Sequence, residues 1–363
     1  MNKIIDGETE LYFCRSCSHV QTKALFDLEN YYENDYEINL KSLYHDQLYK
    51  LSGGIEIFRN QHQAKTISSK VDLFEGMRVL DYGCGNGLTL KHLKDAQPEL
   101  ECYAFDVTEK YVDFWNTFLP KEQIAPLSIP TSWESSMDLV VSFFALEHVV
   151  DPGHFIADLS KYITDTGTIY LIVPNMYQNY ADMLVADHIN HFSELSLKKL
   201  LNQFGFNNVE VDTTSHDSAF IVIAQKLNET TKISSNLPPQ NEVDQVEKSA
   251  KKIADLWRDV VGGIEAHFIS NNEVSNIIYG AGVYGTIIYQ YLSEWSEVEC
   301  FIDRNTFVQG VHVTGTEVLS PDDVDTTGKN IWFGINPLIS QSVATEFCKQ
   351  RDIHSYYYLG KLK

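Results

Sequence analysis

The chain has 363 residues, 44% of them hydrophobic and 12% aromatic, with a formal net charge of −22. That length and hydrophobic content allow two or three domains with sizeable cores and exclude global disorder. So acidic a chain is a poor match for a nucleic-acid backbone or an anionic membrane surface, and no run of Lys and Arg offsets the charge.

Three further readings make a cytoplasmic location the expectation. No apolar run approaches the ~18 residues of a membrane span. The opening residues, Met1 to Glu8, lack the apolar stretch of a secretory signal. Six cysteines in a chain of this length suit a reducing compartment better than a disulfide scaffold.

Residues 1–60 read as a small N-terminal segment. Cys14-Arg15-Ser16-Cys17 offers two thiolates at a spacing that forms half of a tetrahedral zinc site. No second Cys-x-x-Cys exists, and His19, His45 and His62 have no recognised ligand spacing. The segment is therefore expected to be a degenerate zinc ribbon, with no metal assigned. Tyr31, Tyr32, Tyr36, Tyr44 and Tyr49 follow in an acidic stretch, expected to lead into helices that cover a cleft.

Residues 61–228 carry the main signal. Arg78-Val79-Leu80-Asp81 is an apolar run ending in an acid. Gly83, Gly85 and Gly87 follow, and Leu88, Leu90 and Leu93 begin a helical pattern. This predicts a buried strand, a tight turn and a helix start. Glycines there tolerate positive φ and let a ligand lie against the backbone. Helix N-terminal amides then face that ligand. Asp81 at the strand end suits a ligand bearing a cation rather than a bare phosphate. A second strand ends at Asp106, about twenty residues on, where an acid can accept hydrogen bonds from ribose hydroxyls.

The glycine pattern resembles motif I of the class I S-adenosylmethionine methyltransferases. The later elements keep that family's order. Ser136 to Val149 reads as a continuous apolar strand leading into a loop, as expected in a parallel sheet covered on both faces, and it passes through Leu146-Glu147-His148. Phe155 to Leu159 is helical, Thr166 to Pro174 is a turn and strand, and Val209–Thr213 and Ala219–Gln225 are further strands. The resemblance implies S-adenosyl-L-methionine held by Asp81, Gly83, Gly85, Gly87, Asp106, Val107 and Phe143. Trp133 either stacks on the adenine or packs inside. His148 either orders its loop or takes part in catalysis. Asp187, His188 and His191 precede a helix that starts at Ser193 and buries Leu197, Leu200, Leu201 and Phe204. An imidazole titrates near neutral pH, so His188 or His191 is the expected general base.

Residues 229–250, with Pro238-Pro239, read as a linker. From Ile253 to Phe268 apolar residues recur at helical spacing. In 251–363, Gly280-Ala281-Gly282-Val283-Tyr284-Gly285 follows a strand, and a second strand ends at Asp303. By spacing this is a dinucleotide fingerprint, with room for one mononucleotide-binding half. The three-part layout is similar to the sugar C-methyltransferases of deoxysugar biosynthesis, down to Leu319-Ser320-Pro321-Asp322. That resemblance implies a sugar or nucleotide-sugar substrate and aligns His191 with the family's base. His188 stands where that family has tyrosine, and Asn190 where it has glutamate.

The expected fold class is α/β: a Rossmann-like class I methyltransferase domain, then a second, smaller Rossmann-like domain. The expected function is methyl transfer to a small molecule, with an oligomer possible and no nucleic-acid or membrane partner. The alternatives are O- or N-methylation of a non-sugar metabolite, a dinucleotide-dependent sugar oxidoreductase, or a non-catalytic binding protein.

Overall fold

The structure, a computed structural model, describes residues 8–23, 46–52, 55–226 and 237–360. The chain divides into two units. One contains Thr9–Met176 and Val185–Val246; the other contains Tyr177–Leu184 and Glu247–Lys363. Among the described residues no helix is long and apolar enough to cross a membrane.

The first unit opens with a hairpin of β1 (Leu11–Phe13) and β2 (Val20–Thr22). A second hairpin, β3 (Leu48–Ser52) and β4 (Ile55–Phe58), leads into α1 (Arg59–Lys70). Tyr49 thus sits in a strand where a helix was expected, and Tyr31, Tyr32, Tyr36, Tyr44 and His45 lie outside the described residues. Then come β5 (Arg78–Tyr82), α2 (Leu88–Ala96), β6 (Glu101–Asp106), the short α3 (Val112–Trp115) and β7 (Ile124–Pro126). β8 (Met137–Phe143), α4 (Pro152–Leu159) and β9 (Ile163–Pro174) follow. The unit continues through β10 (Asn190–His191), α5 (Glu194–Gln203), β11 (Phe206–Asp212) and β12 (Ala219–Lys226).

Seven strands form one sheet in the order β11-β12-β9-β8-β5-β6-β7. β7, β6, β5, β8 and β9 run parallel, while β12 and β11 return antiparallel. This is a Rossmann-like fold. Alternation explains why the strands read as continuous apolar runs. Val79, Leu139 and Val141 share one core with Ala64 and Ile67 of α1 and Leu90 and Leu93 of α2. Leu80 and Val140, on the other face, are equally buried. A parallel strand covered on both sides needs apolar residues at every position. The strand order reverses about β5, so β5 and β8 flank the switch point, where open α/β sheets bind ligands.

β9 begins at Ile163, three residues before the expected turn at Thr166-Gly167. Gly167 lies inside the strand because its neighbours leave no space for a side chain: a Cβ would stand 2.6 Å from Ile163 Cγ1 and 3.0 Å from Asp138 O. The expected linker 229–250 also differs. Its described end is helical, since α6 spans Gln240–Ser270. Val243 and Ala250 are buried along with Ile253, Leu256, Trp257, Val260 and Ile264. The apolar stripe therefore starts about three turns before the point where its period becomes plain in the sequence.

In the second unit, β13 (Asn276–Tyr279), α7 (Val283–Leu292), β14 (Val298–Ile302), β15 (His312–Val313), β16 (Thr316–Leu319), β17 (Asn330–Phe333), α8 (Pro337–Cys348) and β18 (Ser355–Tyr358) follow in order. The sheet runs β15-β16-β14-β13-β17-β18. Every pairing except β15 with β16 is parallel. Five parallel strands exceed the single mononucleotide half expected, because β17 and β18 add to the far side of β13 through one helix. Tyr177–Leu184 packs within this unit: the Tyr284 hydroxyl donates to Asn179 Oδ1 at 2.8 Å and accepts from Ala181 N at 3.0 Å. Trp257 Nε1 donates to Tyr180 O at 2.7 Å.

Candidate functional site

The site is built on the carboxyl end of β5. Gly83, Gly85 and Gly87 all have positive φ, at 78°, 53° and 72°. Side-chain-bearing residues rarely adopt that conformation. Gly87 caps α2 in the left-handed region. A Cβ there would also meet the Trp115 ring at 3.1 Å. Trp115, fully buried, donates from Nε1 to Gly85 O at 3.0 Å and so fixes the turn from outside. It carries no motif, and the sequence reading missed it.

Asp106 ends β6 beside this turn, and its Oδ2 accepts from Gly85 N at 2.7 Å. The carboxylate expected to meet a ribose thus also shapes the glycine loop. Burial pushes it above its ordinary value, against the backbone amides of Gly85, Thr108 and Val107. Asp81 is 1% exposed, and its Oδ1 has no hydrogen-bond partner. Burial and the nearby Asp106 charge raise Asp81 well above the usual carboxylate range. A buried acid without a cation is costly. A ligand that brings a positive group and hydrogen-bond donors to this turn would satisfy it, and S-adenosylmethionine carries both. The chain's residues therefore fit that group.

Of the other expected contacts, Val107 is 64% exposed just past β6. Phe143 is half-buried against the core cluster and packs near Tyr170. Trp133 is buried edge-on against Tyr103 at 4.9 Å, which makes it a packing residue. Phe144, one step past β8, has φ 53°. For a bulky residue this is strained, and such strain clusters at functional sites. Arg59 lies over its ring at 4.2 Å. Nearby, Tyr49 stacks on His62 at 4.6 Å and tilts against His216 at 4.8 Å. Burial, with Arg59 and His62 adding repulsion, lowers His216 to about 4. This aromatic group at the β11–β12 turn had no legible spacing in the sequence, because its members come from three distant stretches.

The two histidines expected as bases lie on one short segment. β10 pairs with β2, with His191 opposite Val20. The N-terminal hairpin thus forms one three-stranded sheet with the histidine strand. Ser18 Oγ lies 2.6 Å from Ser193 Oγ, and Ser193 closes a capping box with Ser196 at the start of α5. His19 hydrogen-bonds Asn190 Oδ1 at 3.0 Å, and burial lowers His19 to about 4. His191 is 1% exposed, whereas His188 is half-buried. His188 meets His148 edge-on at 4.8 Å. The Glu147 carbonyl accepts from both Ile189 N and Asn190 N at 3.0 Å, which ties the loop after β8 to the histidine segment.

Cys14 and Cys17 stand at a tight turn, where Ser18 N donates to Cys14 O at 2.7 Å. Burial pushes the Cys14 thiol up, but the Cys17 thiol and the Ser16 and Cys17 amides outweigh it and hold Cys14 below its ordinary value. None of the six cysteines forms a disulfide.

Residues 58–211 match a family model described as a methyltransferase domain. The stretch so matched lies almost wholly within the first unit. Ubiquinone biosynthesis O-methyltransferases from Caulobacter sp. (strain K31) and Caulobacter vibrioides are each 28% identical over 109 residues. Each match covers 28% of this chain and 42% of the relative's own length. A methyltransferase structure from Aquifex aeolicus is similar at TM-score 0.38 and 20% identity, over 46% of this chain and 92% of that one. The 1,6-didemethyltoxoflavin-N1-methyltransferase of Burkholderia thailandensis, with bound S-adenosylhomocysteine, is similar at TM-score 0.36 and 16% identity, over 47% of this chain and 78% of that one.

Proposed function

We propose that the chain transfers a methyl group from S-adenosylmethionine to a hydroxyl of a sugar or nucleotide-sugar. The observation that carries this reading is the pairing of a buried, cation-seeking Asp81 at the glycine turn with histidines on a segment bonded to the loop after β8. The cofactor supplies a methyl that is already activated on its sulfonium. The protein's work is therefore alignment and proton removal. Asp81 receives the cationic end and Asp106 the ribose side, while the glycine-turn backbone permits close approach. His191 or His188 takes the proton of the acceptor hydroxyl. Oxygen is favoured over carbon because Asn190 and His188 replace the glutamate and tyrosine of the sugar C-methyltransferases, and the curated relatives that match are O-methyltransferases. A sugar is supported by the second Rossmann-like unit. There Ala281 N donates to Asp303 Oδ2 at 2.9 Å, repeating the bond between Gly85 and Asp106.

Calorimetric titration with S-adenosylmethionine and with NAD⁺ tests the cofactor. Wild type should bind the first and not the second, and Asp81→Asn should weaken binding at least tenfold. A chain that binds only NAD⁺, or an unaffected Asp81→Asn, would overturn the reading. S-adenosylhomocysteine release over a panel of nucleotide-sugars tests the acceptor, with His191→Ala and His188→Ala as the variants. Unchanged turnover in both would remove the histidine base.

A further inference from the structure

We propose that Glu147, His148 and His188 form a binding site for one divalent transition-metal ion. One ligand atom from each, a carboxylate oxygen and two imidazole nitrogens, lies within 4.8 Å of the others. Two imidazoles and a carboxylate are the donor set that takes zinc-class ions while leaving positions open. An ion about 2.1 Å from each donor would set them about 3.4 Å apart in tetrahedral geometry. Side-chain rotations that shorten these separations by at most about 1.4 Å bring the present arrangement to that figure.

The surroundings are those of an oriented ligand set. His148 Nδ1 donates to the Asp187 carbonyl at 3.0 Å, with Asp187 Oδ2 at 3.5 Å. A neutral ring held that way turns the lone pair of Nε2 toward Glu147, whose Oε1 is 3.9 Å away. Fixing one imidazole nitrogen so that the other can ligate is the usual outer-shell arrangement of metal-bound histidine. The backbone is equally constrained. Glu147 O holds Ile189 and Asn190, Thr22 Oγ1 donates to His188 O at 2.9 Å, and Asn190 Nδ2 donates to Val149 O at 2.6 Å. Two residues before Glu147, Ala145 lies 3.4 Å from where a Cβ on Gly83 would stand. The ion would therefore sit past β8, next to the glycine turn and at the switch point of the sheet.

The ion's role rests on the methyl-transfer reading above. Its open positions take the acceptor's hydroxyl oxygen and lower that hydroxyl's pKa. The proton leaves to His191, the oxygen lone pair forms the new O–C bond, and the S–C bond breaks to leave a neutral thioether. The ion is unchanged. His188 then belongs to the metal and His191 to the proton.

Titration of the full chain, stripped with a chelator, with MnCl₂ alone tests the site. Mn²⁺ is chosen because thiolates hold it poorly, so the Cys14 and Cys17 turn does not compete. One ion per chain should bind. His148→Ala and His188→Ala should each weaken it at least tenfold, and Cys14→Ser/Cys17→Ser should not. Binding of S-adenosylmethionine by the histidine variants reports that they are folded. Should either misfold, the near-isosteric Glu147→Gln replaces it. No Mn²⁺ bound by wild type, or equal binding by the variants, overturns the proposal even if S-adenosylmethionine binds. Failure of wild type to bind S-adenosylmethionine overturns the methyl-transfer reading instead and leaves the Mn²⁺ result standing. With an active acceptor in hand, Mn²⁺ should move the acidic limb of the pH–rate profile to lower pH in wild type and not in His188→Ala. An unmoved profile in wild type removes the ion's assigned role.

Discussion

Asp81 puts an acid where the apo protein least tolerates a charge. Its folded pKa is raised, so the folded state holds a proton that the unfolded chain has already released. Stability contributed by that proton is complete below the ordinary carboxylate value and is lost as pH rises through the folded one. Asp81→Asn should flatten this fall in apo stability between about pH 4 and neutrality, read as melting temperature against pH, while losing cofactor affinity. His19 and His216 have the opposite sign. Each is lowered to about 4, so the unfolded chain binds more protons below about 6.5, and stability falls as pH drops through that window. His216 Nδ1 accepts from Ser218 N at 3.2 Å, a bond that a proton on Nδ1 would break. His216→Asn should lose less melting temperature than wild type between pH 7 and pH 5. An equal loss would mean that His216 charges freely in the folded state.

Among the elements, the two glycine turns differ in what glycine is for. At Gly87 the need is conformational, and the tight Trp115 contact adds to it. Gly87→Ala should cost about 1–2 kcal/mol in chemical unfolding, because a side chain in the left-handed region is penalised by that much. At Gly285 the need is closeness. A Cβ there would stand 1.8 Å from Gly280 O, and one at Gly334 would stand 2.3 Å from Gly285 Cα. Gly285→Ala should therefore do more damage than Gly87→Ala and should remove the calorimetric transition of the second unit. The capping box at Ser193 is smaller in effect: Ser193→Ala should destabilise by about 1 kcal/mol, and it also removes the partner of Ser18. The strands of the first sheet were legible because burial on both faces leaves one apolar run per strand. The start of α6 was not, since Val243, Val246 and Ala250 are small and sparse among polar residues such as Glu242, Asp244, Gln245, Glu247 and Lys248.

For the whole molecule, the division into two units predicts two thermal transitions. A ligand that binds only the folded first unit stabilises it by about 2.7 kcal/mol at a hundredfold excess over its Kd. That should raise one transition by roughly 5–10 °C and leave the other in place. Calorimetry with and without S-adenosylmethionine checks this, and movement of both transitions together would show that the units unfold as one.

The sequence by itself determined the glycine turn and the two acids beside it. Asp81, the three glycines and Asp106 are close in the chain, and their chemistry follows from strand, turn and helix in succession. Tertiary structure alone decided the rest. The hairpin carrying Cys14 and Cys17 pairs with the His191 strand, Trp115 braces the glycine turn, and Glu147 and His148 meet His188 across some forty residues of chain. Segment Tyr177–Leu184 packs with the second unit although it lies inside the first in sequence. Local periodicity reports which face of an element is buried. It carries no information about which distant segment completes that face, and the surroundings of His188 and His191 are assembled from such distant segments.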